Sequence, residues 1–156
     1  MSGNAYAAPI SQSLKFLGRT CSVFQESDSE FTPSAGQFTV AQQIAHIAQT
    51  IDWFMVGGFG SGFDLDFAAH HAAVRDVHSL ADAFKWLADS MDNASAILSN
   101  KTQDEMMTPI PAGPIMAGEP HAAIVGAIAE HTAHHRGSLA VYARLLGYEP
   151  PIPYTE

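Results

Sequence analysis

Apolar residues along this chain recur at steps of three and four, and strand-like alternation is almost absent, so the pattern predicts helices. A first helix is expected from Ala5 or Ser11 to Glu26, with Leu14, Leu17, Cys21 and Phe24 on one face. Ser27 to Gln37, with Pro33 and Gly36, has the composition of a connecting loop. Thr39-Val40-Ala41-Gln42 has the form of a capping box, in which the threonine oxygen takes a backbone N–H and the glutamine reaches back. A second helix is predicted from there to about Val56, ending at Gly57-Gly58, with a stripe of Val40, Ile44, Ile47, Ile51 and Phe54. Phe67 to Val74 can form a short helix, and Ser79 followed by Asp82 starts a third long one, Leu80 to about Asn100. Its face is Leu80, Phe84, Leu87, Met91 and Ala94 to Leu98. Lys101 to Glu119 carries Pro109, Pro111, Pro114, Gly113 and Gly118, too many breakers for a helix, with room for a short extended turn over Thr108 to Met116. The last helix is expected from Ala122 to Leu146. The resulting fold class is all-α, a four-helix bundle with a long crossover connection, formed by a single domain over residues 1–156.

The stripe of that last helix is where chemistry enters. Ile124, Ile128, His131, His135, Leu139, Tyr142 and Leu146 share one face, so two imidazoles project from the core-facing side. Residues four apart sit about 5–6 Å apart at their β-carbons, and His131 and His135 can present nitrogens to a common point. Either each is a core histidine bonded to a carbonyl or carboxylate, or one divalent ion satisfies both. His134 points about 80 degrees off the stripe. His46 lies about 120 degrees from the first member of its own helix's stripe, on an arc with Gln43, Thr50 and Trp53, where periodicity alone places a partly exposed histidine. His70, His71 and His78 are rival ligands by type, but adjacent histidines cannot both face one point on a regular helix, and solvent exposure is expected for them. Gly57 to Gly62 follows a helix and lacks the Lys-Ser/Thr ending of a phosphate loop, so it reads as a mobile interhelical loop over the mouth of a site.

Composition narrows the picture. A chain of 156 residues buries roughly 70% of its unfolded surface and needs no disulfide, and its one cysteine, Cys21, points to a reducing compartment. No secretory pattern or membrane-spanning run is present, so a soluble, cytoplasmic protein is expected. Sixteen acidic residues against seven basic ones give a formal net charge of -9, which repels a phosphate backbone and argues against nucleic acid as a partner. An apolar share of 47% with 15% charged residues is high for a four-helix monomer. Alanines off the main stripes, at Ala41, Ala45, Ala129 and Ala133, would admit another helix, and a homodimer is expected.

The run His131-x-x-x-His135-Arg136-Gly137, followed by Leu145-Leu146-Gly147 and Pro150-Pro151, resembles the C-terminal signature of the DinB-like (DinB/YfiT) family of metalloenzymes. Gln43-Ile44-Ala45-His46 resembles that family's second-helix ligand, and helix number and spacing agree along nearly the whole chain. Ser138 departs from the glutamine that many members carry. The resemblance implies a four-helix bundle, often dimeric, holding zinc, nickel or iron through three histidines, here His46, His131 and His135. Three neutral imidazoles leave an ion with an open position, as in catalytic rather than structural sites. Such an ion lowers the pKa of bound water or thiol, or polarises a carbonyl. The implied activity is a thiol-dependent transferase, using a low-molecular-weight thiol, or a hydrolase acting on a small molecule. The alternative is a non-catalytic metal-binding or stress-related helical scaffold. Glu130 points about 100 degrees away from His131 and is given no role. Arg136 and Arg144 could hold an acidic thiol cofactor or lie on a solvated face. No histidine here has the Glu-x-x-His spacing of di-iron bundles, which argues against an oxidase of that type.

Overall fold

The computed structural model describes residues 4–155, and among these the fold is all-α. Its helices are α1 (Asn4–Cys21), α2 (Val40–Phe59), α3 (Phe67–Arg75), α4 (Leu80–Ser99), α5 (Gln103–Met107) and α6 (Ala123–Leu145). The four long ones close a ring of contacts, α2 packing on α4 and α6, and α1 on α4 and α6. The connections from α1 to α2 and from α4 to α6 therefore cross the ring, which is why both are long.

Local chemistry sets the helix starts. Thr39 Oγ1 accepts from Gln42 N at 3.3 Å while Thr39 N donates to Gln42 Oε1 at 3.1 Å, the expected capping box. The same Gln42 amide donates to the Arg75 carbonyl at 3.0 Å, tying the end of α3 to the start of α2. Ser79 caps α4 through Asp82 N at 3.0 Å. A second capping box, Thr102 with Glu105, starts α5 inside the stretch expected to hold no helix. The breakers begin only at Pro109, so one turn and a half fits before them and buries Met106 completely. After it, Ile110 N donates to the Glu119 carbonyl at 2.8 Å across an isolated bridge between Pro109 and Pro120, an extended turn longer than expected.

Two boundaries differ from the sequence pattern. Helix α1 begins at Asn4, runs through Pro9 and stops at Cys21, five residues before Glu26; Gln25 N donates to Asp28 Oδ2 at 2.8 Å and turns Glu26–Asp28 into a short 3-10 segment instead. Helix α2 does not end at Gly57-Gly58 but continues to Phe59. Both glycines are there for close approach: a β-carbon on Gly57 would meet the ring of Phe63, and one on Gly58 the side chain of Ile124 in α6. The loop that follows is held by Phe63, whose ring lies 4.9 Å from that of Trp53, and by Trp53 Nε1 donating to the Asp64 carbonyl at 2.6 Å.

The core is built from Ile10 and Leu17 of α1, Ile44, Ile47, Ile51 and Met55 of α2, Leu98 of α4, and Ile124, Ile128 and Leu139 of α6, all buried. Ala41 and Ala45 are fully buried within the chain, so they serve its own helix packing rather than a second copy. Ala133 is exposed and Ala129 half-buried, both beside α1. Among the described residues no helix is long and apolar enough to cross a membrane.

Candidate metal centre

Helix α2 has buried residues on nearly all sides, and that resolves the position of His46. Gln43 and Thr50, on the same arc, are 8% and 7% exposed, so the polar arc faces the interior between α2 and α6 rather than solvent. There it meets the histidines of α6. The Nε2 atoms of His131 and His46 are 3.3 Å apart and those of His131 and His135 3.1 Å, and ligand atoms of all three residues lie within 4.8 Å of one another. Thr50 Oγ1 approaches His131 Nε2 at 3.5 Å.

The protons can be assigned around this cluster. His135 Nδ1 lies 2.6 Å from Gln43 Oε1 and donates to it, so in the neutral ring Nε2 carries a bare lone pair. Gln43 is oriented in turn, because its Nε2 donates to the Tyr142 hydroxyl at 3.3 Å, and that hydroxyl donates to the Phe38 carbonyl at 3.0 Å. His131 has a single proton to offer if neutral, yet its Nε2 faces two other imidazole nitrogens. A single nitrogen can form a matched, well-directed hydrogen bond with only one of them, so the other contact is left lone pair against lone pair or N–H against N–H, a mismatch that a cation among deprotonated Nε2 atoms would relieve. The separations also match the edge of a tetrahedron of nitrogens about 2.0–2.1 Å from a zinc ion, about 3.3 Å. The donor set therefore fits a divalent cation. His46 is the least firmly oriented of the three: its Nδ1 is buried and makes no hydrogen bond, and Gln49, although near enough to oppose the lowering of its pKa, forms no well-aligned bond to it.

Burial keeps the three rings neutral. Desolvation, followed by the neighbouring His46 and His134, lowers His131 from 6.5 to about 4. Desolvation first, then His131, His46 and His134, brings His135 to about 3. His46 is lowered by desolvation and by His71. In the unfolded chain these rings take protons near 6.5, whereas the folded metal-free protein resists until about 4 and 3, so the unfolded state binds more protons in between. Stability of the chelator-treated protein should fall as pH drops from about 7 to about 5, by on the order of 1 kcal/mol per ring after discounting for partial exposure. Urea midpoints at the two pH values measure it. An unchanged or higher midpoint at pH 5 would contradict the assignment, and a His131→Gln/His135→Gln double variant should show the smaller change.

A cavity of about 240 Å³ opens beside His46 and His131, walled by Trp53, Phe54 and Phe67 and edged by His70 and His71. Helix α3, rather than the glycine loop, covers this mouth. His71 is exposed, as expected, although its ring lies 6.3 Å from that of His46. His78 is exposed and pairs with Glu30 at 2.9 Å, while His70 is half-buried, against expectation, because α3 packs its inner face on α2. His134 is exposed beside His135 and outside the cluster, and His121 lies outside it too, its Nδ1 donating to the Thr108 carbonyl at 2.6 Å. Glu130 is exposed. Arg136 donates to the Tyr154 hydroxyl at 3.1 Å and lies over the rings of Phe16 and Tyr154, and Arg144 donates to the Ala140 carbonyl of its own helix at 2.9 Å. The Cys21 thiol is buried and pushed up to about 12 by desolvation, so it is a core side chain. Gln43 and Tyr142 were not singled out as site residues by sequence, although Gln43 sits one turn before His46 and Tyr142 two turns after His135 on the same faces.

By class, this is an all-α protein whose second and last long helices bring three histidines into position for a metal ion. The family model of the DinB superfamily matches residues 17–139, which include all three histidines, and the chain belongs to that superfamily. No curated protein matches it.

Proposed function

We propose that His46, His131 and His135 hold one divalent ion with an open coordination position and that the protein is a metal-dependent enzyme, a thiol-dependent transferase or a hydrolase. The observation that carries this reading is the convergence of three neutral imidazoles beside an apolar cavity. A divalent ion there supplies Lewis acidity toward a thiol, a water or a carbonyl. The chain's own groups do the rest: Gln43 orients His135, Trp53, Phe54 and Phe67 exclude water, and Thr50 offers a hydroxyl at the same point. Among the described residues no Lys, Arg or carboxylate lines this cavity, which favours an apolar reacting group over a charged one.

Elemental analysis of protein purified without an affinity tag should give one divalent ion per chain. Protein that is metal-free and takes up neither zinc nor nickel would remove the reading. With the ion in place, a panel of low-molecular-weight thiols plus an electrophile, set against generic esters, separates transferase from hydrolase. Silence in both favours a metal-binding scaffold. We read the ring of α1, α2, α4 and α6 as a four-helix bundle and propose a homodimer through the exposed side of α1 and α6; a monomer mass by light scattering at micromolar concentration would refute the dimer.

A further inference from the structure

Next to the histidine cavity lies a second one, of about 260 Å³, and the two share Gln49, Trp53 and His70 as a common wall. Its other walls include Trp86 and Val56, with the carboxylates of Asp52 and Asp64 at its edge. No Lys or Arg lines it, and neither carboxylate is paired with one among the described residues. Asp52 Oδ2 accepts from Trp86 Nε1 at 2.8 Å, but a neutral donor leaves its charge in place. Asp64 Oδ1 accepts from Asp66 N at 3.0 Å, and its Oδ2 stands 3.5 Å from His70 Nε2 without forming a hydrogen bond. That His70 nitrogen is buried and has no hydrogen-bond partner. A buried polar atom left unpaired costs free energy, and it faces a carboxylate across a gap that a shared donor would close.

We propose that this second cavity binds an organic ammonium ion, a primary or secondary amine on an apolar body of about one ring, with its N–H groups directed at Asp64 and His70. Three features agree on that class. Two carboxylates with no Lys or Arg partner among the described residues select a cation and repel an anion. Two tryptophans and a valine favour an apolar body, and an indole face attracts a cation. A metal ion is the poorer fit, because among the described residues the only group of histidines, cysteines and carboxylates close enough to hold one is His46 with His131 and His135. The cavity is smaller than the about 300–1,000 Å³ of drug-sized pockets, which sets the size of the ligand. Where the three-histidine reading holds, such an amine would be the polar handle of that site's substrate, its other end reaching the histidines past Trp53; binding itself requires no metal.

The chain's only two tryptophans, Trp53 and Trp86, both line this cavity, so intrinsic fluorescence reports on it. Phenethylammonium titrated into the chelator-treated protein should change that fluorescence saturably, and with the same affinity after zinc loading. The neutral isostere 2-phenylethanol and the quaternary benzyltrimethylammonium should each bind at least about tenfold more weakly, the first lacking charge and the second N–H donors. Asp64→Asn and Asp52→Asn, which keep the shape and the bonds to Asp66 N and Trp86, should each weaken phenethylammonium by a similar factor. Absence of phenethylammonium binding, equal binding of the alcohol, or unchanged binding to Asp64→Asn overturns the proposal. Equal binding of the quaternary ion overturns the roles of Asp64 and His70 as N–H acceptors. Failure here leaves zinc uptake intact, and failure of zinc uptake leaves this titration intact, so the two readings fall separately.

Discussion

Alanine at His46, His131 or His135 is expected to abolish the zinc-dependent rise in melting temperature, whereas alanine at His134, His71 or His121 leaves it nearly unchanged. Each of the first three removes one of only three protein nitrogens, so metal affinity should fall by more than the about 10–100-fold typical of losing an outer partner. A ligand stabilises a fold only to the extent that its site is intact, which makes the melting temperature with zinc against that with chelator the deciding measurement. The contrast among variants carries the information. His134 lies beside His135 with ring centroids 4.9 Å apart, and His71 lies near His46, so proximity to the cluster alone would predict losses at both. If the three rings were only packed core histidines, His131→Ala and His135→Ala would lower stability equally with and without zinc. A His46→Ala protein that keeps the full zinc shift would remove it from the ligand set.

The sequence pattern located the helices well where side chains cap them and less well where tertiary contacts decide. The Thr39–Gln42 capping box and the Ser79 cap are local bonds between residues three apart, and both stand where the pattern places them. The end of α1 depends on Asp28 reaching back to Gln25, and the persistence of α2 through Gly57 and Gly58 depends on Phe63 and Ile124, partners that no window of the chain contains. Two histidines of the site were legible for the same reason as the caps, since His131 and His135 share a turn and a stripe. His46 was not, because its arc looks polar until α6 lies against it. Family resemblance supplied it, and the geometry explains it: an arc of Gln43, His46 and Thr50 is hidden from water by the helix that carries the other two rings. Gln43 and Tyr142 are legible only afterwards, since a buried amide and a buried phenol gain meaning from the partners they orient.

That pair leads to the second large effect. Gln43→Leu should weaken zinc binding by about 10–100-fold and destabilise the metal-free protein by about 1–3 kcal/mol through the buried polar groups it leaves unpaired. Only the amide oxygen of Gln43 meets His135 Nδ1, at 2.6 Å, and it does so because the amide nitrogen is committed to the Tyr142 hydroxyl. The hydroxyl has one proton, with the Phe38 carbonyl at 3.0 Å and Gln37 Oε1 at 3.2 Å as its acceptors, and so must accept from Gln43. Remove the acceptor for His135 Nδ1–H, and its proton is free to move to Nε2, where it blocks the lone pair that faces the other two rings. Gln43→Glu separates orientation from packing. A carboxylate accepts from Nδ1–H more strongly than an amide does, so zinc affinity should be kept or raised, while the lost donor to Tyr142 still lowers the stability of the metal-free protein. Tyr142→Phe, which removes a hydroxyl bonded to Gln43 and to no ligand histidine, should weaken zinc in the direction of Gln43→Leu, because an amide without its anchor can turn its nitrogen toward His135. Competition against a chromophoric chelator gives the affinities, and urea unfolding in chelator gives the stabilities. If Gln43→Glu and Gln43→Leu bind zinc equally weakly, Gln43 fills space and does not set the proton on His135.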